Sequence, residues 1–110
     1  MYKRGEIVLV PIPFSDLSSI KRRPVLVISN ISHNSASKDI IVVAITSNLQ
    51  QSGITIEAQD LSVGNLPKPS LIRCEKIYTL EQRIVIKRFG IVSENVLDRV
   101  IKEINRLITG

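Results

Sequence analysis

Four aromatic side chains, one histidine, one cysteine and no tryptophan among 110 residues leave several kinds of protein out of reach. A lone Cys74 closes no intramolecular disulfide, and with only His33 beside it no cysteine- or histidine-based metal site can be assembled. Tyr2, Phe14, Tyr78 and Phe89 are too few and too scattered for the stacking platform of a large single-strand binder. No apolar run reaches membrane-spanning length, because Pro, Lys or Asp interrupts each one. Met1 to Glu6 carries no signal-peptide core. The expectation is a cytoplasmic, metal-free chain that needs no cofactor and meets no membrane.

What is present is aliphatic. Hydrophobic residues make up 44% of the chain, and with so few rings the core must be built from Ile, Val and Leu. Residues 1–110 are enough for one domain with a single core and too few for a two-domain enzyme. Fifteen Lys and Arg against ten acids give a net charge of +5, spread over both halves. A basic body of this kind suits nucleic acid or an acidic protein partner.

Short β-branched runs separated by turn residues set the architecture. Glu6 to Ile12, Pro24 to Asn30, Ile40 to Thr46, Ile54 to Ala58, Ser70 to Lys76 and Ile84 to Phe89 read as strands. The Ser- and Asn-rich stretch Ile31 to Asp39 reads as a loop, with His33 exposed on it. From Ser93 the period changes: Leu97, Val100, Ile101, Ile104, Leu107 and Ile108 form one helical stripe, with Ser93 placed to cap it and Glu94 in its first turn. Asp98 with Lys102 and Arg99 with Glu103 are spaced for pairs on the wet side. The predicted fold is mainly β, a small antiparallel barrel closed by a C-terminal amphipathic helix.

Three constellations bear chemistry. Lys21-Arg22-Arg23 precedes Pro24, which holds Arg23 extended at the mouth of a buried strand, a fixed cation cluster suited to an anion. In Ser70-Leu71-Ile72-Arg73-Cys74-Glu75, alternation puts Arg73 and Glu75 on one face, roughly 6 to 7 Å apart. Metal-free RNA cleavage needs a base, an acid and a cation at phosphorus, and this pair supplies two of the three. Its ordinary alternative is a surface salt bridge. Thr46 and Ser47 end the third strand, where hydroxyls can bond a phosphate or a base edge. Cys74 shares a face with Ile72 and reads as core. The two prolines and glycine between Val63 and Pro69 suggest a lid over the Arg73 strand.

The order of these pieces resembles the MazF/PemK family of toxins, the endoribonuclease halves of type II toxin–antitoxin pairs. The resemblance runs through Arg4 to Val10, Arg23 to Ile28, Ala44 to Ser47, Leu71 to Glu75 with Thr79-Leu80, and Phe89-Gly90, followed by the closing helix. It implies an SH3-like barrel of the CcdB/MazF kind, a homodimer, an acidic antitoxin partner and metal-independent cleavage of single-stranded mRNA at a short preferred sequence. The products would carry a 2′,3′-cyclic phosphate and a 5′-hydroxyl. Carried over residue by residue, it gives Arg23, Thr46, Arg73 and Glu75 as catalytic. Ser47, Lys21, Arg22, Ser70 and Asp16 are then the RNA-binding set. Many relatives carry a Glu-Gln or His-Glu element before the arginine; this loop reads Asp16 to Arg22 without either, so Asp16 is the substitute carboxylate. Two alternatives stay open: a non-catalytic toxin of the same fold that inhibits DNA gyrase by binding, and a small SH3-like binding module.

Overall fold

The computed structural model describes residues 1–13 and 20–110, so Asp16 and Phe14 lie outside the described residues. Seven strands among these form one sheet, all of whose pairings are antiparallel. They are β1 (Glu6–Pro13), β2 (Ile20–Val27), β3 (Asp39–Thr46), β4 (Ile54–Ile56), β5 (Leu61–Gly64), β6 (Ser70–Glu81) and β7 (Lys87–Val92). The order across the sheet, β4-β6-β3-β2-β1-β7-β5, curls it into a half-barrel with very short strands at both edges. Short edges limit pairing with foreign strands.

β-Branched side chains on both faces of the central strands divide the interior in two. On one side Ile7, Leu26, Val43, Ile45, Ile56 and Ile72 pack against Val96, Leu97 and Val100 of α2 (Glu94–Thr109). On the other, Val8, Val10, Val25, Val27, Ile40 and Val42 form a smaller cluster covered by Tyr2, Ile12, Leu80 and Val85. The Ser93 hydroxyl caps α2 by accepting from the Val96 N–H at 3.3 Å, as its position implied. On the wet side Glu103 pairs with Arg106, at 2.7 Å, rather than with Arg99.

The strand predicted over Ile84 to Phe89 lies instead at Lys87–Val92, after a 3-10 turn at Gln82–Ile84, and β5 is absent from the predicted strands. Three further parts of the sequence expectation change. The Ile31 to Asp39 stretch contains α1 (Ile31–Ala36), because the Asn30 side chain caps it and Asn34 is buried, with its amide donating to the Tyr2 and Ser29 carbonyls. His33 is exposed there, on a helix instead of a loop. β2 begins at Ile20, so Lys21, Arg22 and Arg23 are strand residues paired with Ile12, Pro11 and Val10. Finally β6 runs on to Glu81: its ladder with β3 jumps from Ala44↔Arg73 to Val43↔Ile77, leaving Cys74, Glu75 and Lys76 in a bulge.

Candidate active site

Thr46 closes β3, and its hydroxyl accepts from the Asn48 N–H at 3.1 Å; the Asn48 side chain in turn accepts from the Gln50 N–H at 3.0 Å. These side-chain turns fold residues 47–53 back over the sheet. They deliver Gln51 to Arg73, whose Nη1 donates to the Gln51 side-chain carbonyl. The other arm of the guanidinium, Nη2, donates to Glu75 at 2.7 Å. Arg73 Nε is buried without a partner among the described residues. The guanidinium is therefore sealed along one edge and gripped at both ends, with 22% of the side chain exposed.

Glu75 sits on the β6 bulge. The hydrogen bond from the backbone at Glu75 itself holds its carboxyl below the usual carboxylate range; burial opposes it, and the neighbouring Arg73 and Lys76 add to the lowering. Glu75 is ionised at neutral pH. Cys74, the next residue back, points into the core and is buried; burial first, then the charges of Glu103 and Glu75, push its thiol up to about 11. The core reading of Cys74 holds.

Strand register relates these groups to Arg23. Val25, Ala44 and Arg73 form one row across β2, β3 and β6. Neighbouring strands are about 5 Å apart, and alternate residues share a face. Two positions further toward the same end, Arg23 on β2 and Thr46 on β3 therefore lie on the Arg73 face. Pro24, Ile45, Ser47 and Ser70 belong to the opposite face, where they border a pocket of about 230 Å³ at the end of the half-barrel. Arg23 lines this pocket too, and Leu66, Pro67, Lys68 and Phe89 complete it.

The structure thus gathers Arg23, Ser47 and Ser70 at one pocket, and Arg73 and Glu75 in one ion pair, with Thr46 ordering the loop beside that pair. Lys21 and Arg22 are exposed on β2 and do not border the pocket. Lys68 and Gln51 escaped the sequence reading, and Phe89 entered it only as a scattered ring and as part of the family resemblance, not as a site residue. Pro67-Lys68-Pro69 offered a signal, since two flanking prolines stiffen the lysine's backbone. The segment expected as a lid is the wall of this pocket, anchored by the buried Leu66. The Ser70 hydroxyl donates to the Lys68 carbonyl at 3.1 Å, tying that wall to β6.

This half-barrel with a C-terminal helix is a known toxin fold. MazF from Deinococcus radiodurans superposes with a TM-score of 0.76 at 17% identity, covering 99% of this chain and 97% of its own. An endoribonuclease in complex with its cognate antitoxin, from a mycobacterial species, gives 0.73 at 14% identity, with coverages of 96% and 93%. The family described as PemK-like, MazF-like toxins of type II toxin–antitoxin systems matches residues 3–108. A protein named endoribonuclease MazF, from Staphylococcus saprophyticus, is 31% identical over 98% of this chain and 88% of its own length. The chain belongs to the PemK-like, MazF-like toxin family. These likenesses support the toxin and endoribonuclease reading rather than the gyrase-binding or SH3-like-module alternatives.

Proposed function

We propose that this chain is an endoribonuclease toxin that cuts single-stranded mRNA at a short preferred sequence and is held in check by an acidic antitoxin. The observation that carries this reading is the placement of Arg73, clamped to an ionised Glu75, on the sheet face shared with Arg23 and Thr46, in a chain of this toxin family. Two cations and a carboxylate on one rigid surface are what phosphodiester cleavage by the adjacent 2′-hydroxyl requires.

In this mechanism Glu75 takes the 2′-hydroxyl proton as that oxygen attacks phosphorus, and the bond to the 5′-oxygen breaks. Arg23 and Arg73 stabilise the extra negative charge on the phosphorane. An arginine is a poor proton donor because its own charge is so stable. The departing oxygen takes its proton from water on the opposite side of phosphorus, and Glu75 later releases the proton it took to solvent, leaving a 2′,3′-cyclic phosphate and a 5′-hydroxyl. Glu75 is held ionised chiefly by the backbone hydrogen bond at its own position, and its ion pair with Arg73 keeps carboxylate and cation side by side at the phosphate. Ser47, Ser70, Lys21 and Arg22 contribute to holding the RNA.

The net charge of +5 suits both the RNA and an acidic antitoxin. Structures similar to this chain include toxins bound to their antitoxins. We place the working protein in the cytoplasm as a homodimer, in line with the family resemblance. Among the described residues no helix is long and apolar enough to cross a membrane.

The deciding experiment incubates the protein with mixed-sequence single-stranded RNA in excess EDTA, beside Arg73→Ala, and sequences the fragment ends. Discrete cuts ending in cyclic phosphates, weakened about a hundredfold or more in the variant, are expected. Intact RNA, from protein that still arrests growth, overturns the proposal.

A further inference from the structure

A guanidinium can only donate hydrogen bonds. The contact between Arg73 Nη1 and Gln51 therefore fixes which way the glutamine amide faces: its carbonyl toward Arg73, its NH₂ group outward. Glu75 takes the other arm of Arg73 at 2.7 Å, so the guanidinium cannot swing to a different acceptor without breaking an ion pair. The backbone beneath Gln51 is also held, since its N–H bonds the Asn48 carbonyl at 3.3 Å and Asn48 is ordered by Thr46. The outward amide nitrogen has no partner among the described residues, and the residue is exposed. The result is a pair of hydrogen-bond donors in a set direction, on the face that carries Arg23, Thr46 and Arg73.

We infer that Gln51 is a specificity-determining residue that reads a keto base, guanine or uracil, next to the scissile phosphate. This rests on the RNA-cleaving function proposed above. An unconstrained glutamine offers both a donor and an acceptor, and its usual partner is adenine, through N6 and N7. With its carbonyl committed to Arg73, Gln51 is left with donors alone. It satisfies O6 and N7 of guanine or O4 of uracil, whereas the amino groups of adenine and cytosine meet no acceptor. An amino group set against those donors is left without a partner, and that mismatch is the stronger half of the discrimination. One side chain thereby links base choice to the arginine that works on the phosphate.

The variant that isolates this role is Gln51→Glu, which keeps an acceptor for Arg73 and removes both donors. Wild type, Gln51→Glu and Gln51→Ala are each incubated with random-sequence single-stranded RNA, and the bases flanking every cut are counted. Wild type is expected to favour guanine or uracil about tenfold at one flanking position. Gln51→Glu shifts that position toward adenine or cytosine, and Gln51→Ala flattens it. Base preferences identical across all three proteins overturn the inference and leave the cleavage reading standing. Absence of cuts by wild type overturns the cleavage reading, and this inference with it.

Discussion

Glu6 and Arg88 form an ion pair of 3.1 Å whose two halves live in different solvents: 6% of the glutamate side chain is exposed against 52% of the arginine. The carboxylate also accepts the Lys3 N–H at 2.8 Å, and the Arg88 guanidinium lies 4.4 Å from the centre of the Tyr2 ring while donating to the Met1 carbonyl. Together they fasten the N-terminal residues to β7.

Removing the exposed partner should therefore cost more than neutralising the buried one. Arg88→Ala strands a carboxylate in a dry site, and we expect a loss of about 2 kcal/mol. Glu6→Gln keeps an acceptor for Lys3 and frees a cation that water can solvate, for a loss of about 1 kcal/mol. Urea unfolding of both variants checks the order; Glu6→Gln proving the more damaging would contradict it.

Lys68 borders the pocket with Arg23, Ser47 and Ser70 and should act as a phosphate contact. Lys68→Ala is expected to weaken RNA binding by a similar factor for every sequence. A plot of log affinity against log salt should become shallower by about 0.7, the value for one phosphate contact on a single strand. An unchanged slope would remove Lys68 from the binding surface.

The Cys74 thiol, raised to about 11 by burial, couples stability to alkaline pH. The folded state keeps its proton above the ordinary thiol range near 9.0, while the unfolded chain gives it up. Stability present below pH 9 is consequently lost as pH rises toward 11. Unfolding midpoints between pH 8 and 11 should fall for wild type more steeply than for Cys74→Ala. An alkylating reagent should label the native protein at pH 8 only as fast as it unfolds.

β5 and β7 approach so closely at Gly64 and Gly90 that neither position accepts a side chain. A Cβ on Gly90 would lie 2.2 Å from the Val63 carbonyl oxygen, and Gly64, at φ +88, would place one 2.1 Å from the Phe89 oxygen. Gly90→Ala should cost at least about 2 kcal/mol and, by moving the residue after Phe89, loosen RNA binding at the neighbouring pocket. A variant with native melting temperature and native affinity would show that the two strands can part without consequence.

The sheet's central strands could be read directly because β3, the second half of β2 and most of β1 are nearly unbroken aliphatic runs, buried on both faces. The final helix was equally legible from its apolar repeat behind a serine cap, though only its first half is buried, with Val96 beside Leu97 and Val100, while Leu107 and Ile108 at the end of the predicted stripe are exposed. α1 was not: its Ser, His and Asn residues belong to turns by local preference, and what makes them helical is a remote contact of Asn34 with the Tyr2 carbonyl. The start of β2 was hidden by its own charges, which are strand residues exposed to water. Arg73 and Glu75 could be paired from the sequence, because two-residue spacing on a strand suffices. Gln51 and Phe89 could not, since their positions depend on a loop folding back and on β7 crossing from the far side of the sheet.

The bulge at Cys74 to Lys76 gives β6 two halves with independent registers. A residue gained or lost there is absorbed locally, because the ladder on each side is fixed by its own pairings with β3. The stretch holding Glu75 is thus the part of the sheet where length can vary at least cost to folding. Under the function proposed above, the segment that carries Glu75 can change in length while the same barrel is inherited.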